Sequence, residues 1–148
     1  MEWAEGEYRI STDKSLLSLG RICEFLSRSY WADKRPRERI ELSIQNSVCY
    51  GVYHHSHQVG FARVVSDMAT IYWVCDVFID DAHRGKGLGK RLMQCIVESP
   101  EFRDLQGLLG TRDAHGLYEQ FGFKRDPERL MRRGQVSPHV GSSSLASQ

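Results

Sequence analysis

"IYWVCDVFIDDAHRGKGLGKRL", Ile71 to Leu92, runs from an apolar segment into a corner rich in glycine and basic residues. From Ile71 to Ile79 the only charged side chain is Asp76. Bounded by turn residues, such a run reads as a strand covered on both faces. The corner that follows holds Gly85, Gly87 and Gly89 among Arg84, Lys86 and Lys90. Leu88, Leu92, Cys95 and Ile96 then stand at i, i+4, i+7 and i+8, an amphipathic helix that Pro100 stops. A helix N-terminus offers unpaired N–H groups and the positive end of the macrodipole. Glycines before it allow close backbone approach, so the corner is a candidate phosphate site. On the glycines alone, a tight turn with solvated basic side chains accounts for it equally well.

Working outward, "SVCYGVYH" (Ser47–His54), "VGFARVVS" (Val59–Ser66) and Thr70–Ile79 are strand-like runs. The linkers "HSHQ" and "DMA" are short enough to make them an antiparallel meander. Upstream, Tyr8–Thr12 predicts a first strand. Asp13 is expected to cap a helix carrying Leu16, Leu19, Cys23 and Leu26, and Pro36 to open a second with Ile40 and Ile44 inward. Downstream, Leu105–Thr111 reads as a strand, and Asp113 as the cap of a short helix lined by Ala114, Leu117, Tyr118 and Phe121. Gly122 ends that helix, and "FKRDPERLMRR" is expected to hold one or two closing strands. Strand, helix and strand around the corner imply a parallel pair with a right-handed crossover. The fold class is α/β: a mixed, mostly antiparallel sheet of about 6–7 strands flanked by about four helices.

The 148 residues suit one domain, expected over residues 1–133, with a polar Gly/Ser-rich tail over 134–148 expected to be disordered. A net charge of +1 advertises neither nucleic acid nor an anionic membrane. No apolar run reaches the ~18 residues of a membrane span, and the acidic N-terminus does not read as a signal peptide. Cys23, Cys49, Cys75 and Cys95 lie apart in apolar segments, as reduced core thiols of a cytoplasmic protein do. No metal is expected: His54, His55 and His57 crowd one hairpin tip without a carboxylate or cysteine partner, so a solvated turn is the simpler reading.

Two phosphate-binding patterns fail. The NTPase loop needs Ser or Thr after Gly-Lys, where this chain has Arg91, and no glycine stands at position 84. The dinucleotide fingerprint needs another glycine rhythm directly after a first strand. Arg-x-x-Gly-x-Gly, formed by Arg84, Gly87 and Gly89 after an apolar strand, resembles the acetyl-coenzyme A loop of the GNAT superfamily of N-acetyltransferases. "AHGLYEQFGF", Ala114–Phe123, resembles that family's A-x-x-L-Y-x-x-x-G-F segment at the distance where it belongs. The element order matches over Tyr8–Arg133, and the specific motifs lie within Val74–Phe123.

The resemblance implies an acetyl-CoA-dependent N-acetyltransferase acting directly on a primary amine of a small molecule or peptide. It also implies a splayed central parallel pair, open between the ends of Thr70–Ile79 and Leu105–Thr111. Val77 and Ile79 would pair with the pantetheine arm. Gly85, Lys86, Gly87, Leu88, Gly89 and Lys90 would meet the pyrophosphate, and Arg84 would shape the loop. Thr111 stands at a cofactor position where many members carry Asn. Tyr118 matches a tyrosine that protonates the departing thiolate, with packing as its other reading. The family's glutamate base has no counterpart; the matching region offers Trp73. Asp76, costly to bury alone, is the catalytic candidate read from the residues, as base or substrate anchor, against an equal claim for a structural carboxylate paired with an arginine such as Arg63. Tyr30 and Trp31 stand where an amine could meet aromatic faces or where rings simply pack, and Trp73 joins them as substrate-facing. Acetyl-CoA is the expected co-substrate, with no nucleic-acid or membrane partner; a homodimer is left open. The alternatives are a non-catalytic acyl-CoA sensor of the same fold and an RNA or nucleotide binder. The second lacks an aromatic–basic platform.

Overall fold

The computed structural model describes residues 1–134. The expected tail therefore lies, Gly134 apart, outside the described residues. Six strands form one sheet in chain order, β1 (Glu2–Glu5), β2 (Tyr8–Ser11), β3 (Val48–His54), β4 (His57–Ser66), β5 (Ile71–Ile79) and β6 (Gln106–Leu109). Each neighbouring pair is antiparallel except β5 with β6, which is parallel. Strand β1 was not expected. Its glutamates disfavour a strand, but Gly6, at φ 59°, turns the chain so that Glu5 faces Tyr8 and Trp3 packs against the core.

Helices α1 (Leu19–Ser27) and α2 (Arg37–Gln45) cover one face of the sheet; α3 (Leu88–Glu98) and α4 (His115–Glu119) cover the other. Ile22, Phe25, Leu26 and Ile40 of the first pair pack with Phe61 and Phe78. On the opposite face Leu88, Leu92, Met93 and Ile96 join Val64, Tyr72, Val74 and Tyr118. Leu92 is wholly buried, so Leu92→Ala is expected to cost about 2–5 kcal/mol, read as a shift in the urea-unfolding midpoint at unchanged slope.

Three local expectations are corrected. Asp13 caps only a single 3₁₀ turn, Lys14–Leu16, through its bond from the Ser15 N–H. The chain then extends at Leu17, and Ser18, accepting from the Arg21 N–H at 3.2 Å, starts α1. Aspartate and serine are comparable caps, and with both present in this stretch the apolar pattern is divided between two helices. Asp113 does not cap α4. Ala114 occupies the N-cap and donates its N–H to the Thr111 hydroxyl at 3.1 Å. Last, no strand follows β6 among the described residues. Pro127 removes a ladder donor, and Asp126 accepts from the Arg129 N–H in a turn instead.

Candidate functional site

Strands β5 and β6 pair only from Ile71 opposite Gln106 to Val74 opposite Leu109. Beyond Val74, β5 runs on to Ile79 with its outer edge unmatched by β6. A bulge lies in this stretch: β4 pairs Phe61 with Phe78 and Arg63 with Cys75, leaving Asp76 and Val77 opposite Ala62. Asp76 itself is left-handed, at φ 54°, a conformation that Asp tolerates better than most side chains. The bulge bends β5 away at the point where β6 ends, and the strands part.

The chain leaves β5 through a 3₁₀ turn, Asp81–His83, into Gly85 and Gly87, at φ 79° and 77°. Both are conformations that favour glycine. Gly87 is the N-cap of α3, and no side chain caps that end. The first bond of the helix runs from the Arg91 N–H to the Gly87 carbonyl, so the amides of Leu88, Gly89 and Lys90 face outward. Arg84 turns back, donating to the Ile79 carbonyl at 3.0 Å and pairing with Asp81 at 2.9 Å. It braces the corner. Asp80 accepts from Arg21 and Arg28. Burial raises the Asp80 carboxyl, but the two guanidiniums prevail and hold it below its ordinary value.

Between strand and corner lies a cleft of about 480 Å³. Val77 and Ile79 form one bank, Gly85, Gly87, Leu88 and Gly89 the far end, and Thr111, Leu117 and Tyr118 the other bank. Arg28, Tyr30 and Trp31, from the loop after α1, complete the wall. Nine of the expected cofactor and catalytic residues thus meet here: Val77, Ile79, Arg84, Gly85, Gly87, Leu88, Gly89, Thr111 and Tyr118. Lys86 and Lys90 are exposed residues of the corner and do not line the cleft. Trp73 lies elsewhere, in a second cavity of about 730 Å³ beside β6 that shares Thr111 and Tyr118 with the cleft.

Asp76 is 1% exposed and does not line the cleft. One oxygen accepts from the Trp31 indole N–H at 2.9 Å; the other accepts from Arg35 at 2.9 Å and Arg63 at 2.8 Å. Two cations and an indole hold this carboxylate in place, and Arg63 is among them as the structural reading expects. Tyr30 reaches the opposite bank: its hydroxyl accepts from the Arg112 N–H at 3.0 Å, and the Arg112 guanidinium lies 3.8 Å from its ring centre. Arg28, Arg35 and Arg112 were not singled out in the sequence, where nothing distinguishes them from other surface arginines. Burial pushes the Cys75 and Cys95 thiols up to about 11, so at neutral pH neither is a thiolate nucleophile.

A model of the GNAT acetyltransferase domain matches residues 45–125. A crystal structure from Xanthomonas campestris pv. campestris, of a protein belonging to the GNAT family, superposes with a TM-score of 0.84. It is 39% identical and covers 89% of this chain and 96% of that one. A Gibberella zeae protein named as a candidate acetyltransferase is 28% identical over 146 residues, 82% of each chain. Of the next two curated relatives the chain spans 64% and 55%. A GNAT acetyltransferase of Elizabethkingia anophelis, solved with acetyl-CoA bound, has the same fold at a TM-score of 0.63 and 12% identity, over 81% of this chain and 78% of that one.

Proposed function

The chain belongs to the GNAT acetyltransferase family, and we propose that it transfers an acetyl group from acetyl-CoA directly to a primary amine of a small molecule or peptide. The observation that carries this reading is the unpaired half of β5, which opens on an uncapped helix N-terminus at one end and on Tyr118 at the other. The cleft's volume is that of a ligand site. In this assignment the amides from Gly85 to Lys90 receive the diphosphate, Lys86 and Lys90 add charge at the corner, and Arg84 holds the loop in shape. The backbone edge at Val77 and Ile79 takes the pantetheine arm as an added strand. Acetyl-CoA, when bound, supplies the activated acyl group. An N–H near Val77 stabilises negative charge on its carbonyl oxygen during attack.

Tyr118 gives its proton to the departing sulfur. A phenol of pKa ~10 and a thiol of ~8.5 are close enough for that exchange. Asp76, held by two guanidiniums, is assigned the positioning of Trp31 and Arg35 rather than proton abstraction. The acceptor ammonium must lose its proton before the neutral amine can attack, and that proton is assigned to solvent water rather than to a side chain. Arg112 lies over the Tyr30 ring, so the acceptor contacts are assigned to Trp31 and, across the Thr111–Tyr118 wall, to Trp73. Four unpaired cysteines fit a reducing compartment, and we place the enzyme in the cytoplasm. Among the described residues no helix is long and apolar enough to cross a membrane.

A second reading, an acyl-CoA sensor without turnover, is favoured by one feature. The two polar groups nearest the family's missing Asn and base, Thr111 and Asp76, are both engaged within the protein. Mixing the protein with acetyl-CoA and a panel of amines, and following release of free thiol, separates the readings. Product with any amine establishes the transferase; saturable cofactor binding with no product across the panel establishes the sensor. Absence of binding removes both. Gly87→Val, which forces a β-branched residue to positive φ, is expected to weaken acetyl-CoA binding about tenfold by calorimetric titration, equivalent to about 1.4 kcal/mol of backbone strain.

A further inference from the structure

The hairpin tip between β3 and β4, expected to be a solvated turn for want of a carboxylate, has one beside it. Pairing of β2 with β3 sets Tyr8 opposite His54, and the His55 N–H donates to the Glu7 carbonyl at 3.1 Å. Those two contacts bring the β1–β2 turn against the histidines. Glu7 Oε2 lies 3.1 Å from His54 Nε2, and Glu7 Oε1 lies 3.5 Å from His55 Nε2. The three donor atoms all lie within 4.8 Å of one another, and among the described residues no other three His, Cys, Asp or Glu side chains gather in this way. Two ligand atoms each ~2.0–2.1 Å from a tetrahedral zinc stand ~3.3–3.4 Å apart. The two Glu7–histidine approaches, each through a different carboxylate oxygen, lie near that edge length, and all three ligand atoms lie within 4.8 Å of one another.

We propose that Glu7, His54 and His55 form a zinc site with three protein ligands and a fourth position open to solvent. Two imidazole nitrogens and one carboxylate are a donor set that suits Zn²⁺. His54 is the oriented member. Its ring lies 4.9 Å from that of Tyr8 and 5.0 Å from that of His83, and the Tyr8 hydroxyl is tied to His83 Nδ1 at 2.8 Å. Packing of this kind fixes a ligand's direction before the ion arrives. His55 and Glu7 are more exposed, which leaves the ion reachable from solvent. None of the three ligands lines the cleft, which the site adjoins through His83, packed on His54.

The test is a titration of the full chain with Zn²⁺ against a chromophoric chelator, with Co²⁺ as a spectroscopic substitute. One equivalent should bind, and Co²⁺ should give the intense visible bands of a tetrahedral site. His55→Ala and Glu7→Gln should each weaken binding about tenfold or more, while His57→Ala, in the same turn, should leave it unchanged. Far-UV circular dichroism shows that each variant is folded. Sub-stoichiometric binding, or binding unaffected by Glu7→Gln and His55→Ala, would mean an adventitious ion only and overturn the assignment. Dependence on His57 or Cys23 in their place would overturn it equally.

Discussion

Tyr118→Phe is expected to lower turnover about 100-fold with little change in acetyl-CoA affinity. General acid catalysis by a positioned side chain contributes at least about that factor. The phenyl ring alone preserves the packing: Tyr118 is 4% exposed, sits in the core beside α3, and meets Phe123 edge-on at 6.4 Å between ring centres. The phenylalanine variant thus separates proton donation from packing, two roles that the sequence could not divide. Removing the ring as well, in Tyr118→Ala, should cost about 3–5 kcal/mol of stability. Thiol release under saturating acetyl-CoA, together with urea unfolding, measures both effects. A phenylalanine variant with undiminished turnover would leave Tyr118 as a core residue and nothing more.

Asp76→Ala should be strongly destabilising, by about 3–5 kcal/mol. It strips the carboxylate from two guanidiniums that are themselves largely covered, and an unpaired buried charge is what makes such a break costly. It also places alanine at φ 54°, where asparagine and aspartate are better tolerated. Asp76→Asn keeps the shape and the backbone preference while removing the charge. Its loss reports the ion pairs alone and should fall between wild type and alanine. If Asp76→Asn is as stable as wild type yet inactive, the carboxylate has a chemical role that its hydrogen bonds do not reveal.

The fold was legible where a segment's own pattern decides its structure. Ile71–Ile79 is apolar enough to be a buried strand in any context, and the spacing of Leu88, Leu92, Cys95 and Ile96 fixes α3 without help. Strand β1 was hidden because Glu2 and Glu5 oppose it locally, and only pairing with β2 decides it. The caps at Asp13 and Asp113 were misread for different reasons: Asp13 does cap a helix, but one of a single 3₁₀ turn, with Ser18 starting α1, whereas α4 starts from Ala114 without any side-chain cap. In the cleft, the glycines declared themselves through the conformations they permit. The partners of Asp76 did so only in part: Arg63, 13 residues away in the next strand, is a candidate that the sequence offers, whereas Trp31 and Arg35 converge on it from 45 and 41 residues away.

The loop after α1 is tethered twice, through Trp31 and Arg35 to the β5 bulge and through Tyr30 to Arg112 beyond β6. Together with the zipped base of β5 and β6 these tethers close a girdle around the opening. A long, thin molecule lodged inside can slide out lengthwise, but sideways escape must first break the Tyr30–Arg112 contact. Loss of that single latch would add a second exit and shorten residence, while the grip along the channel governs the first.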